Sequence, residues 1–325
     1  MGPQEPPLEG VGRTALGMAV VRAMENRRRD RLFTDPYAQA FVDAAPAMFP
    51  QPTGTPPRTR AGGTEGAAAG MEAVDSREAV PRTEVGGSEE GMPWSAASLG
   101  GVLYAHAVMR TRFYDDYLTE AARACRQVVL LAAGLDTRAF RLAWPERTRV
   151  FELDLPEVLA FKDAVLAGKA APRRHERTAL PRCHERIALP VDLRDDWPAA
   201  LLAAGFDRAA RTAWLAEGLL IYLTAGESAR LLAAVGTLSA PGSRLSFEHF
   251  PGGDSTLVSR AGDMPAMEPY TAMWKGGPGG DVAGRLARDG WRPRFHDLAT
   301  LAGSYGRDLP GPATGGFLTA VRTLP

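Results

Sequence analysis

From residue 94 onward the apolar positions of the chain switch repeatedly between two periods. Strand-like segments, each ending where a polar residue or a glycine begins a turn, alternate with helix-like ones. The strand-like segments fall at 127–133, 148–153, 184–191, 212–216 and 243–249. Between them apolar residues recur every three or four positions, as in "TAGESARLLAAVGTL", where Thr224 and Glu227 have the spacing of a capping box. Strands alternating with helices predict an α/β fold, a mostly parallel sheet with crossover helices. The last two strand-like segments, "WRPRFHDL" and "GGFLTAVRTL", have no helix between them long enough for a parallel crossover. They are expected to pair as an antiparallel edge.

Two other blocks come first. Residues 14–42 carry apolar positions at helical spacing, broken at Asp35-Pro36, which predicts two helices joined by a turn and makes 1–45 an N-terminal helical cap. Residues 46–93 are rich in Pro, Gly, Ala, Thr and Glu, with Phe49 the only aromatic, a composition unable to bury enough surface to fold alone. This stretch is expected to be a flexible insertion or lid, leaving 94–325 as the α/β domain. Just before the third strand "PRRHERTAL" (172–180) is followed at once by "PRCHERIAL" (181–189), a nine-residue tandem repeat. A second equivalent strand cannot enter a packed parallel sheet without its own crossover. The second copy is therefore expected to be the strand and the first an exposed loop. His175 and His184 occupy equal places in the two copies, but with no third ligand around them no metal site is expected.

Composition narrows the function. The 325 residues can bury a large core, and 38 basic residues balance 38 acidic ones, so no net field gathers nucleic acid or an anionic membrane. No apolar run approaches the roughly 18 to 20 residues of a membrane span, and "MGPQEPPLEGVGRT" lacks a signal-peptide core. Cys125 and Cys183 read as free thiols of a reducing compartment. A cytoplasmic enzyme with a small-molecule partner is the expectation.

In an open α/β sheet, ligands bind beyond the carboxyl ends of the strands. The first strand runs into "AAGLDTRAF", where Gly134 lets backbone approach a ligand and Asp136 or Thr137 can cap the next helix. The second strand ends in Asp154, twenty positions beyond Gly134, the spacing at which a strand-end carboxylate accepts from both ribose hydroxyls. The third closes with "PVDLRDDW", where Asp192 can accept from an adenine amino group and Leu193 can pack on the ring; Asp192 can equally cap the helix that follows. The fourth ends "WLAEGLLIYL" and puts Glu217 at the same rim, a charge that needs a partner in so apolar a run. A pyrophosphate would need G-x-G-x-x-G. Here the turn reads Gly134-Leu135-Asp136-Thr137-Arg138-Ala139, two glycines short and with an acid where phosphate would sit. That disfavours NAD and favours a nucleoside without phosphate and with a cationic end, S-adenosylmethionine.

With these residues in place the chain resembles the leucine carboxyl methyltransferase-like family of class I S-adenosylmethionine-dependent methyltransferases, in its bacterial small-molecule branch. Four motifs carry the resemblance in order: "RTALGMAVVRAMENRRRDRLFTDPYA", "MRTRFYDDYL", "VLLAAGLDTRAFRLAWP…VFELDLP" and "VDLRDDW…WLAEGLLIYL". The resemblance implies that Arg110 pairs with the cofactor carboxylate and that Gly134 lies against its methionine part. Asp154 would bind the ribose, Asp192 and Leu193 the adenine, and Glu217 the region of the amino group, with Asp136 in the same turn. A basic residue on the first helix would also touch the carboxylate, and Arg22 is the nearest candidate. The 172–189 repeat and the 46–93 insertion are departures from the family pattern.

Methyl transfer from a sulfonium is an in-line displacement in which protein groups chiefly position the nucleophile and exclude water. A carboxylate acceptor needs no base; a phenol or alcohol does. Tyr222, Glu248 and His249 stand at or beyond the ends of strands four and five and are the candidates facing the acceptor, whereas His106 and His296 read as surface or packing residues. The expectation is an O-methyltransferase acting on a small-molecule carboxylate or hydroxyl. The excess of arginine over lysine and the abundant Ala and Gly suggest a secondary, polyketide-like pathway. An NAD-dependent oxidoreductase and a non-catalytic S-adenosylmethionine-binding protein remain the alternatives.

Overall fold

The computed structural model describes residues 8, 10–46, 99–169, 184–250, 268–310 and 315–323. Its seven strands are β1 (Gln127–Leu131), β2 (Arg149–Asp154), β3 (Glu185–Pro190), β4 (Thr212–Ala216), β5 (Arg244–His249), β6 (Trp291–Asp297) and β7 (Gly316–Arg322). They form one sheet in the order β3-β2-β1-β4-β5-β7-β6. Neighbours from β3 to β5 are parallel, while β7 runs antiparallel to both β5 and β6. The order reverses between β1 and β4, so the crevice for a ligand opens above the carboxyl ends of these two strands.

The central strands β1 and β4 are covered on both faces. On one face Val129, Leu131, Trp214 and Phe247 pack on α6 (Trp197–Ala203), α7 (Ala225–Thr237) and α9 (Val282–Arg288). On the other, Val128, Leu130 and Leu215 meet Met109, Tyr114 and Leu118 of α3 (Leu99–Ala121) and Leu298 of α10 (Leu298–Ser304). The helices α1 (Val11–Asn26) and α2 (Ala38–Ala44) bring Leu16, Ala19 and Phe41 onto Leu135 and onto Val158 and Leu166 of α5 (Pro156–Leu166). Their turn is tied down by Asp35, fully buried, which accepts from Arg22 Nε at 2.8 Å and from the Tyr37 N–H at 3.0 Å. Two single turns complete the set, α4 (Arg138–Arg141) and α8 (Glu268–Thr271).

Several expectations hold in detail. Thr224 and Glu227 form both bonds of the capping box at the start of α7. The second repeat copy supplies β3, in register with β2 from Arg149↔Glu185 to Asp154↔Pro190. The first copy, with His175, and the 46–93 stretch lie outside the described residues, as does Cys183. The last two strands pair antiparallel from Trp291↔Arg322 to Asp297↔Gly316. The helix between them, α10, is seven residues long, too short for a parallel crossover, and is started by Asp297, which accepts from the Thr300 N–H at 2.8 Å.

Others need correcting. β1 ends at Leu131 rather than 133 because Ala132 takes φ +52°, a left-handed conformation that leaves the extended ladder. Asp192 does not cap α6; Asp196 does, accepting from the Ala199 N–H at 3.2 Å. Among the described residues no helix is long and apolar enough to cross a membrane, and no group of three His, Cys, Asp or Glu is placed to hold a metal ion.

Candidate functional site

The rim above β1 and β2 is made by backbone. Gly134 has φ +49°, and a Cβ there would stand 3.3 Å from the Ala15 Cβ of α1, so glycine alone keeps this turn both left-handed and closed under the first helix. Its N–H donates to Asp154 Oδ2 at 2.5 Å, and the Leu155 N–H donates to Asp154 Oδ1 at 2.7 Å. Burial raises the pKa of Asp154, and these two N–H groups work against that rise. Each carboxylate oxygen has a second lone pair, so the acid is aimed by backbone and can still accept from two hydroxyls. Asp192 lies beyond β3, where its oxygens take the Arg194 N–H and guanidinium at 2.9 Å. The Arg194 side chain holds its carboxyl below the usual range. Leu193 packs against the sheet core beside it.

The rim above β4 and β5 is made by side-chain charges. Arg110 on α3 donates from Nε to Glu217 Oε1 at 2.9 Å and from Nη1 to Glu248 Oε1 at 3.0 Å. Glu248 Oε2 accepts the Gly218 N–H at 2.7 Å. Arg138 reaches Glu217 Oε2 at 2.6 Å, Asp136 Oδ2 at 2.5 Å and Asp115 Oδ1 at 2.7 Å, and Arg141 takes both Asp115 oxygens at 2.6 Å. Burial opposes the charge on Arg138, yet Asp136, Glu217 and Asp115 hold its pKa well above the ordinary value. Burial likewise works against the Asp136 carboxylate, but Arg138 and then Lys162 bring its pKa down to about 2. Asp136 also accepts from the Arg138 N–H at 2.6 Å, the bond that starts α4 in place of a Thr137 side-chain cap.

Beside this network lies a cavity of about 220 Å³. Helix α3 lines it with Leu103, His106 and Arg110; Gly218, Glu248 and His249 come from the strand ends. Tyr222, in the turn Leu220–Tyr222, and Trp274 close it. The two closing segments are stitched by Lys275 N–H to Ile221 O at 2.8 Å and Gly277 N–H to Leu223 O at 3.0 Å. His249 is buried edge-on against Phe295, and burial lowers its pKa. His296 bonds Thr319 Oγ1 at 2.9 Å and packs on Phe113, away from the cavity.

All ten candidate residues therefore lie at the carboxyl end of the sheet, in two groups: Gly134, Asp136, Asp154, Asp192 and Leu193 above β1–β3, and Arg110, Glu217, Tyr222, Glu248 and His249 above β4–β5. Arg22 is bonded to Asp35 and to Leu135 O, each at 2.8 Å, which fastens α1 to the glycine turn. On the same helix Arg13 Nε is buried without a partner. Of the two readings of His106, surface or packing, the second holds: it is 7% exposed and stacked on Phe250, it lines the cavity, and its buried Nε2 has no partner. Its signal was the i, i+4 spacing to Arg110, which puts both on one helical face. Arg138 and Asp115, which bind the network together, stand inside motifs already singled out, but nothing local marks them as partners.

The architecture and its relatives make the chain a class I S-adenosylmethionine-dependent methyltransferase. It belongs to the leucine carboxyl methyltransferase family, whose model matches residues 15–236. It is 46% identical to a protein of Frankia alni provisionally named an S-adenosyl-L-methionine-dependent methyltransferase, over 96% of this chain and 95% of that one. A Streptomyces coelicolor protein with the same provisional name is 42% identical over 96% of each chain. Among solved structures, magnesium protoporphyrin IX methyltransferase from Synechocystis with bound S-adenosylhomocysteine aligns at TM-score 0.41 and 14% identity, over 69% of this chain and 86% of that one.

Proposed function

We propose that the protein methylates an oxygen, carboxylate or hydroxyl, of a small molecule of secondary metabolism. The observation that carries this reading is the cavity beside Gly218, apolar in most of its wall and bordered by Glu248, His106 and His249. S-adenosylmethionine suits the other half of the rim: the tight turn at Gly134 leaves no room for a side chain, and Asp154 presents two oriented acceptors. When bound, the cofactor supplies an electrophilic methyl carbon. Gly134 would lie against its methionine part, Asp154 would hold the ribose, and Asp192 and Leu193 the adenine. Arg110 and Glu217 would meet the carboxylate and amino group, with Arg13 the remaining cation of the first helix; Asp136 acts through Arg138. Tyr222, Glu248 and His249 would face the acceptor, and the apolar wall excludes water from it.

The test is to incubate the protein with methyl-labelled S-adenosylmethionine and a panel of acids, phenols and alcohols, then to analyse products by mass spectrometry before and after alkaline hydrolysis. An oxygen-bound label is expected, released by alkali from an ester and retained by an ether. A label on nitrogen or carbon overturns the reading.

A further inference from the structure

Resting on that reading, we infer that the acceptor is a neutral molecule methylated at a hydroxyl rather than at a carboxylate, and that His106 is the catalytic base that takes the hydroxyl proton. Three features of the cavity support this. Its only lysine or arginine, among the described residues, is Arg110, which is bonded to Glu217 and Glu248 and which the reading above already assigns to the cofactor carboxylate. A carboxylate acceptor would enter beside Glu248 with no free cation to balance it, and an unpaired buried charge is costly. The second feature is His106 Nε2, buried, without a hydrogen-bond partner and 3.9 Å from Glu248 Oε1. The third is Trp274 Nε1, a buried donor also lacking a partner, on a residue lining the same cavity. A ligand hydroxyl can donate to the imidazole while another of its oxygens accepts from the indole, filling both vacancies.

The groups around the ring fit the role. Burial disfavours charge on His106; Glu248 and, less strongly, Glu217 favour it, Arg110 opposes it, and the balance lowers its pKa. The ring is thus neutral near pH 7 and free to accept a proton. In the step itself the hydroxyl proton passes to Nε2 and the freed oxygen pair forms the bond to the methyl carbon. The carbon–sulfur bond breaks with its electron pair staying on sulfur, which discharges the sulfonium. The positive charge then sits on the imidazolium beside Glu248 until water removes the proton. Phe250 and Phe317, 6.0 and 6.1 Å from the ring between centroids, hold it in this orientation.

Two probes on the same ring, 4-nitrophenol and 4-nitrobenzoate, test the inference by calorimetry on protein saturated with S-adenosylhomocysteine, at a pH far enough below the phenol's own pKa that the phenol is neutral and the benzoate ionised. Wild type should bind the phenol at least about tenfold more tightly than the carboxylate. Trp274→Phe, which removes only the N–H, should weaken the phenol about fivefold. With labelled S-adenosylmethionine and the best hydroxyl acceptor of the panel, His106→Gln should lower kcat about a hundredfold and leave KM within about threefold. Equal or tighter binding of 4-nitrobenzoate, no binding of either probe, faster methylation of a carboxylic acid than of any hydroxyl, or an unchanged kcat in His106→Gln overturns it; if nothing in the panel turns over, the binding preference decides. S-adenosylhomocysteine binding to His106→Gln separates the two levels. If it is normal while the probes fail, only the acceptor assignment falls; if wild type binds no cofactor, the broader reading falls with it.

Discussion

Asp154 on one half of the rim and Glu217 on the other are held by different means. Above β1 and β2 the carboxylate of Asp154 is oriented by two backbone N–H groups, one from a residue 20 positions away and one from its own neighbour. Above β4 and β5, Glu217 and Glu248 are held by Arg110, 107 and 138 positions away, and Glu217 also by Arg138 at 79. A backbone-held acid keeps lone pairs for a ligand and depends on local chain geometry. A guanidinium-held acid is part of a closed network that must be whole before either side is stable. The first half is therefore built to grip, the second to shape a cavity wall from paired charges.

Breaking the second half should cost most. Arg138 has a side chain only 4% exposed, and Arg138→Met leaves Asp136 without a guanidinium while Asp115 and Glu217 keep only Arg141 and Arg110. A loss of about 3–5 kcal/mol is expected by urea denaturation, the usual consequence of removing one side of a buried pair. A loss under about 1 kcal/mol would show that these acids are not held by the network.

The first half should lose function before stability. Asp154→Ala removes charge-assisted bonds to the ribose worth roughly 1.5–3 kcal/mol each, so S-adenosylhomocysteine affinity should fall at least about tenfold by calorimetry. Circular dichroism should show the fold intact. Unchanged affinity would reduce Asp154 to a brace for the Gly134 turn.

Acid sharpens the contrast more gently. Asp136 has its folded pKa lowered to about 2 from an ordinary value near 3.9. A lowered carboxylate pKa means the folded form prefers the ionised acid, so its stabilisation is complete above about pH 5 and drains away as the pH falls towards 2. Denaturation midpoints measured across that window should show the decline, and Asp136→Asn should flatten it. The smallest effect is expected from deleting residues 172–180. Shortening a connection changes closure entropy by only a few tenths of a kcal/mol, and the β2–β3 ladder is supplied by the other copy. Insoluble protein would mean that the first copy is the packed one.

The same difference explains what could be read in advance. Strands declare themselves by apolar runs, and glycine and acid at their ends carry local meaning, so the parallel core and the Gly134–Asp154 pair were legible in order along the chain. The antiparallel β6–β7 pair was legible too, although the helix started by Asp297 was not, being only seven residues long. Caps were ambiguous wherever acids cluster: in "VDLRDDW" the third carboxylate, Asp196, takes the helix and leaves Asp192 to fold onto Arg194. Partners across the fold were hidden. Arg22 looked free for a ligand because nothing near it announces Asp35 thirteen positions on. His106 looked like packing because its cavity is assembled from β5 and from the segment carrying Trp274, both more than a hundred residues away.

The division of the rim is tested most directly by a crystal structure of the S-adenosylhomocysteine complex. The account predicts the ribose hydroxyls on Asp154, the adenine beside Leu193, the methionine part over Gly134, and the sulfur turned towards the cavity walled by His106 and Trp274. A nucleoside lying inside that cavity, or a ribose that leaves Asp154 untouched, would contradict it.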